Sequence, residues 1–295
     1  MLGTDSLAQL TRPQTRPVAR SVSSNDHGAS APSPVASVLD VDRGTSDAGL
    51  GNRLLMNAAT RMRNNRTVVA QIRHRVNLFG HRLIGTGTYH QRTREDAILV
   101  RWDLQMPVGE EVARLEQVSD GLFLWSKQVT PSWEPGGVPR VEISRINLDE
   151  VHVRAEQSQS GVARFLAVEG LPQLLTDLSQ HFQFRAPAEV KLQDVPGYGL
   201  LGKSLANSGT TAAQPPATRV VPVDARIVMG RDDLFPYLIE LRDAEDRPLL
   251  ILEFHGVQID GDVDPLMFVF KPHGAPFSDK TREHIQSVRT SRGSD

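Results

Sequence analysis

Cysteine is absent from the 295 residues, which excludes disulfides and thiolate metal sites and leaves the redox compartment open. No apolar run reaches the roughly eighteen residues that a membrane-spanning helix needs. Charge of either sign is nearly balanced, at a net −2, so there is no electrostatic case for nucleic acid or an anionic membrane surface as partner. The first residues show no basic stretch followed by an apolar one, and no secretory signal is visible. No H-E-x-x-H helix or G-x-S-x-G elbow occurs, and Gly85-Thr86-Gly87 lacks the third glycine and following helix of a phosphate loop. With no thiol nucleophile either, the common enzymatic signatures are missing, and the chain reads as a non-enzyme without a cofactor.

What is present is organised around Val118-Ser119-Asp120-Gly121-Leu122-Phe123-Leu124-Trp125. Asp-Gly favours a two-residue hairpin link, because both central positions then need positive φ. The strand leaving that turn is apolar on both faces, with Leu122 and Leu124 on one and Phe123 and Trp125 on the other. Both faces therefore need cover.

Residues 1–49 are rich in Ser, Pro, Ala, Arg and Asp without apolar periodicity, and read as a disordered tail. Residues 50–285 read as one domain, followed by a second disordered tail over 286–295. The domain opens on a helix over 50–64, with Leu54, Leu55, Ala58, Ala59 and Met62 on one side. The period then becomes two. Val68, Ala70, Ile72, Val76 and Leu78 share one strand face; Leu83, Gly85, Gly87 and Tyr89 mark a second strand, whose glycines point to a bulge or a close approach to the backbone. Ile98, Val100, Trp102, Leu104 and Met106 alternate with Leu99, Arg101, Asp103 and Gln105 in a third. Segments 112–119, 122–128 and 140–143 add three more strands on short links, which predicts an antiparallel meander.

Two mid-chain helices follow. Asn147 with Glu150 has capping-box spacing, and Gly170-Leu171-Pro172 begins a helix carrying Leu171, Leu174, Leu175, Leu178 and Phe182 as a stripe. Their apolar faces predict that they cover the concave side of a curved sheet. Phe182, Phe184 and Ala186 resume a strand, 196–218 reads as an exposed insertion, and strands are predicted over 221–229, 234–241, 248–257 and 266–270. After Asp279 a short helix or frayed end is expected.

The nine histidines are scattered, and His74, on the apolar face of its strand, and His255, sharing a face with Glu253, read as rim or snorkelling residues before they read as a metal or acid–base pair. Asp260, Asp262 and Asp264 have the spacing of the first calcium-loop ligands, but Gly261 is misplaced and no glutamate stands at the twelfth position, so a surface turn is the reading. Arg61, Arg63, Arg66, Arg73 and Arg75 lack interleaved aromatics and read as solvated faces.

Gly-x-Gly-x-Tyr (Gly85, Gly87, Tyr89), Arg101-Trp102, Ser-Asp-Gly-x-x-x-Trp (Ser119 to Trp125), Val141 to Leu148, and Met267-Phe268-Val269-Phe270-Lys271-Pro272 resemble the LolA/LolB-like superfamily of periplasmic lipoprotein carriers and outer-membrane lipoprotein-sorting proteins. The resemblance implies an α+β, mainly β fold: an unclosed, strongly curved antiparallel half-barrel with helices as a lid over its concave face. It implies a periplasmic, monomeric carrier of the acyl chains of lipids or lipoproteins, exchanging them with membrane-anchored donor or acceptor proteins. Ile98, Val100, Trp102, Leu104, Met106, Leu122 and Leu124 would then line the cavity, with Leu174, Leu175 and Leu178 on the lid. An envelope sensor or protein-binding module on the same half-barrel is the alternative. Arg92 and Arg94 lead into Glu95-Asp96-Ala97 where carriers of this kind place proline and an aromatic, so no arginine role is carried over.

Overall fold

The computed structural model describes residues 49–78, 81–95, 97–132, 134, 136–155, 170–192, 195–205 and 222–290. Helix α1 (Leu50–Asn64) leads into six successive strands: β1 (Thr67–Leu78), β2 (His81–Arg94), β3 (Ala97–Val108), β4 (Glu111–Ser119), β5 (Phe123–Thr130) and β6 (Arg140–Asn147). Helices α2 (Leu148–Ala155) and α3 (Gly170–His181) follow. After them come β7 (Phe182–Phe184), β8 (Ala188–Leu192), β9 (Val195–Ser204), β10 (Asp224–Gly230), β11 (Pro236–Arg242) and β12 (Pro248–Ile259). A 3₁₀ turn (Pro265–Phe268), the two-residue strand β13 (Ser278–Asp279) and helix α4 (Thr281–Thr290) end the chain.

All thirteen strands belong to one sheet, in the order β13-β6-β5-β4-β3-β2-β1-β12-β11-β10-β9-β7, with β8 also on β9. Every pairing is antiparallel except the short β13–β6 ladder. Its ends never meet, so this is an unclosed sheet. The curvature can be read from its rings. Trp102 on β3 and Phe254 on β12 stand three strand spacings apart, roughly 14 Å on a flat sheet, yet their centroids are 6.5 Å apart. The sheet therefore bends towards the face that carries Val68, Ala70, Ile72, Tyr89, Val100 and Trp102. That is the concave face.

Helices α1 and α3 lie against it. Leu55, Ala58, Ala59 and Met62 of α1 and Leu171, Leu174, Leu175 and Leu178 of α3 are buried with Leu200, Ile227, Met229, Ile239, Leu252 and Phe254 in one cluster. Most helix stability in such an arrangement comes from burying the apolar stripe. Polar clasps set the registration. Asn52 donates to the carbonyls of Ser179 and Phe182 and accepts from the amide of Phe184, and Arg63 donates to Gln173 and Thr176. Gly51 lets α1 meet the end of β7: a Cβ there would fall against the Arg185 carbonyl and Phe184.

The lid pair is thus the opening helix with α3, where the sequence pointed to the two mid-chain helices. Helix α2 packs elsewhere, at the β6 edge with α4. Periodicity shows that a helix has a stripe but not which of two stripes faces which surface. The expected N-cap is present, since Asn147 accepts from the amide of Glu150 at 3.3 Å.

Four further expectations change. The two-residue link of the central hairpin is Gly121-Leu122, one residue later than expected. Ser119 pairs with Leu124, Gly121 alone takes positive φ (91°), and the Asp120 carboxylate accepts from the amides of Leu122 and Phe123. Asp120 works as a side-chain acceptor, so it needs no left-handed backbone. Residues 196–204 are no exposed insertion: they form most of β9, paired with β10 on one side and with β7 and β8 on the other. Glycines made this segment look like a loop; in the sheet Gly202 leaves room for the Phe184 ring. Residues 206–218 and the tail over 1–48 lie outside the described residues. The strand expected over 266–270 is a 3₁₀ turn, because Asp264 accepts from the Leu266 amide and Pro265 sits in its first turn. The C-terminal tail expected over 286–295 is helical as far as Thr290.

Candidate functional site

The concave face divides into two zones. Over β1, β12, β11, β10 and β9 it is filled by α1 and α3. Over β3 to β6 it carries a row of half-buried apolar side chains: Ile98, Leu104 and Met106 on β3, Leu115 on β4 and Ile146 on β6. The register puts them on one face, since Leu104 is opposite Leu115 and Met106 opposite Ala113, while Leu124 is opposite Ile146. Polar positions share this face: Gln117 is opposite Trp102 and Ser126 opposite Gln117, while Gln128, opposite Leu115, is itself opposite Glu142 of β6, which pairs with Lys280.

The ten residues singled out from the sequence fall into three groups. Ile98, Val100, Trp102, Leu104 and Met106 do share the concave face. Val100 and Trp102 are fully in the core, and Ile98 and Leu104 pack against it. Leu124 is on the same face, but buried in a small separate cluster with Leu148 and beside Ile146. Leu174, Leu175 and Leu178 are at most 1 % exposed and locked between α1 and the sheet. Leu122 does not join them. It sits in the hairpin turn, 47 % exposed, because the link is shifted by one residue and takes it out of the strand.

A buried relay fixes where α3 begins. Gln91 donates to the carbonyl of Met62 at the end of α1 (2.9 Å), and the Tyr89 hydroxyl donates to Gln91 (2.6 Å). The Leu171 amide at the start of α3 donates to that hydroxyl. Burial pushes the Tyr89 phenol well above its ordinary range, so it stays a neutral donor. Gly170 permits the approach, for a Cβ there would fall 2.5 Å from the hydroxyl.

The convex side of β3 to β6 is covered by an element that periodicity did not reveal. The chain leaves β12 and crosses those strands as a strap. Arg101 donates to the Met267 carbonyl at 3.1 Å, and Phe268 is buried. Trp125 stacks on Phe270 with centroids 5.3 Å apart and meets Phe277 edge-on. The Arg145 guanidinium lies over Phe123, Trp125 and Phe277. The second apolar face of the hairpin strand is thus covered by an irregular strap, with aromatic and cation–π contacts. The strap leaves Leu266, Val269 and Phe277 exposed, at 67 %, 46 % and 44 %.

The polar groups weighed as chemistry have structural partners. Glu253 forms a buried ion pair with Arg75 and lies 4.0 Å from Arg73 and 3.9 Å from His255, all on the convex face. Asp260 accepts from the amides of Arg66 and Thr67, and Asp264 caps the 3₁₀ turn. Among the described residues no three His, Asp or Glu side chains come together as a metal site.

No known family profile matches the chain, and no curated protein does. Solved structures with a similar course of chain include three of known source. One is an uncharacterized conserved protein from Thermus thermophilus (11 % identity, TM-score 0.45, covering 76 % of this chain and 96 % of that one). Another is a putative outer membrane lipoprotein-sorting protein domain from Vibrio parahaemolyticus (10 %, 0.33, 74 % and 97 %). A third is the MucA/MucB complex of Pseudomonas aeruginosa (12 %, 0.41, 75 % and 61 %). No residue role is carried across at such identities.

Proposed function

We propose that the protein is a non-enzymatic binder and carrier of acyl chains that acts in the cell envelope. The observation that carries this is the second zone of the concave face. Ile98, Leu104, Met106 and Leu115 are half-buried apolar side chains on the concave face of a curved sheet, Ile98 and Leu104 packing against the margin of the helix-filled core. Burying a lipid chain there would contribute about 0.8 kcal/mol per methylene without polar contacts, which fits the apolar side chains that β3 and β4 present. The resemblance of the Ser119 to Trp125 hairpin and its neighbours to lipoprotein carriers points to the same ligand class and to the periplasm. The α1–α3 pair serves as a fixed wall, with its leucines inside the core. The test is native mass spectrometry of purified protein together with titration of a fluorescent acyl probe. Bound lipid or saturable probe binding is expected, and the lack of both overturns the reading.

A second reading has its own observation. The strap exposes Leu266, Val269 and Phe277 on the convex side, an apolar surface of the kind that contacts proteins. A protein-binding module would bind its partner undiminished after the concave strip is made polar, and would lose it on Leu266→Ser with Val269→Ser.

A further inference from the structure

On β1 the concave face carries a titratable side chain that the proposed function does not use. His74 lies on the same face of β1 as Val68, Ala70 and Ile72, opposite Leu252 on β12 and Gly85 on β2. It is 5 % exposed, and its Nδ1 is buried with no hydrogen-bond partner. Buried polar atoms are nearly always paired, and each exception needs a reason. The ring is also seated with care. It lies on Gly85, where any side chain would collide with its Cε1 and Nε2, so the missing Cβ makes the slot the imidazole occupies.

The surroundings select a chemistry. On β1 the neighbouring Arg73 and Arg75 point to the opposite face, with Glu253 of β12. The concave register positions nearest His74 among the described side chains, Ile72, Leu83, Gly85, Gly87, Leu250, Leu252 and Phe254, carry no charged group. Burial alone pushes the imidazole below its ordinary value, so at neutral pH it is an uncharged ring. Such a ring can accept a proton from a carboxylic acid, or share one with it, without burying net charge. Leu104 is opposite Gly87, two residues from Gly85 along β2, so the anchor stands at the end of the apolar strip.

We propose that His74 is the polar anchor of the acyl ligand, holding the carboxyl group of a free fatty acid by one shared proton while the chain lies along Leu104 and Met106. This rests on the acyl-binding reading above and names the ligand's head group. A carboxylic acid can both donate and accept, and so pairs with Nδ1 in either tautomer; an ester can only accept, and leaves Nδ1 unpaired in the tautomer that keeps its lone pair there.

The experiment compares oleic acid with methyl oleate, each displacing 1-aminoanthracene from the full chain, in the native protein and in His74→Leu. The native protein is expected to prefer the acid by about tenfold, the worth of one buried hydrogen bond. His74→Leu should lose that preference with ester binding unchanged. In the native protein, imidazole resonances of His74 should titrate below 6.5 without ligand and move upward when oleic acid binds, because a carboxylate partner favours the charged ring. Equal acid affinity in both proteins, or a titration unmoved by oleic acid, overturns the anchor and leaves acyl binding standing. Ester preferred over acid by the native protein assigns the site to esterified chains and also overturns it. Binding of neither ligand overturns the acyl reading and the anchor together.

Discussion

The amide of Leu171 donates to the hydroxyl of Tyr89 at 3.2 Å, although 82 residues separate them. That contact joins the start of α3 to β2, and through Gln91 to the end of α1. Tyr89→Phe keeps the ring against Trp102 but strands the Leu171 donor and one Gln91 acceptor. A loss of about 1–3 kcal/mol is expected, read as a lower urea midpoint with an unchanged slope.

The Arg75–Glu253 pair is buried on the convex face, and removing Glu253 takes its carboxylate from the buried Arg75 guanidinium. Glu253→Ala should cost about 3–5 kcal/mol. Replacing both, as Arg75→Met with Glu253→Leu, should recover most of that, because the desolvation penalty disappears with the charges. Chemical denaturation of the single and double variants decides it.

Stability should also respond to pH through the histidines. His74 and His90 are both held below the ordinary imidazole value, His74 by burial and His90 by burial with Arg101 opposing Asp103. Below 6.5 the unfolded chain takes up these protons before the folded one does. Their contribution is therefore complete above 6.5 and is lost as pH falls. Denaturation midpoints should drop between pH 7.5 and 5.5, and His74→Leu should flatten that slope.

The strap should open as a unit. Phe270→Ala removes the ring stacked on Trp125 and forfeits about 0.5–1.5 kcal/mol beyond its lost burial. Hydrogen exchange at 266–278 should accelerate, while α1 and α3 stay protected. Trp125 emission should shift to the red as the ring meets water.

Two leucines distinguish the proposed acyl-binding surface from the core. Leu104→Asn should abolish acyl-probe binding with a stability loss of about 1 kcal/mol, since Leu104 is only half-buried. Leu174→Ala, in the α1–α3 core, should cost about 2–5 kcal/mol and leave probe affinity in the folded protein nearly unchanged. The reverse pattern would place the ligand under the helix pair.

Ile98, Val100, Trp102, Leu104 and Met106 were legible as one face because a strand's side-chain period is two, and the paired register keeps them together. Leu122 was misplaced because the turn chemistry of Asp120 admits two positions for the link. The Asp120 carboxylate, accepting from the Leu122 and Phe123 amides, decides between them. The strap was not legible at all. Residues 260–280 have no period, and what holds Phe270 is a ring at position 125, far along the chain.

Taken alone, the sequence determined the opening helix, the meander from β1 to β6 and the faces of its strands, since these follow from short-range periodicity and turn chemistry. It also determined that Phe123 and Trp125 would need cover. Only the tertiary structure decided what supplies that cover, which helices close the concave side, and that His74 lies against Gly85. These contacts depend on strand register, on the bend of the sheet and on segments far apart in the chain meeting, none of which is expressed in local periodicity.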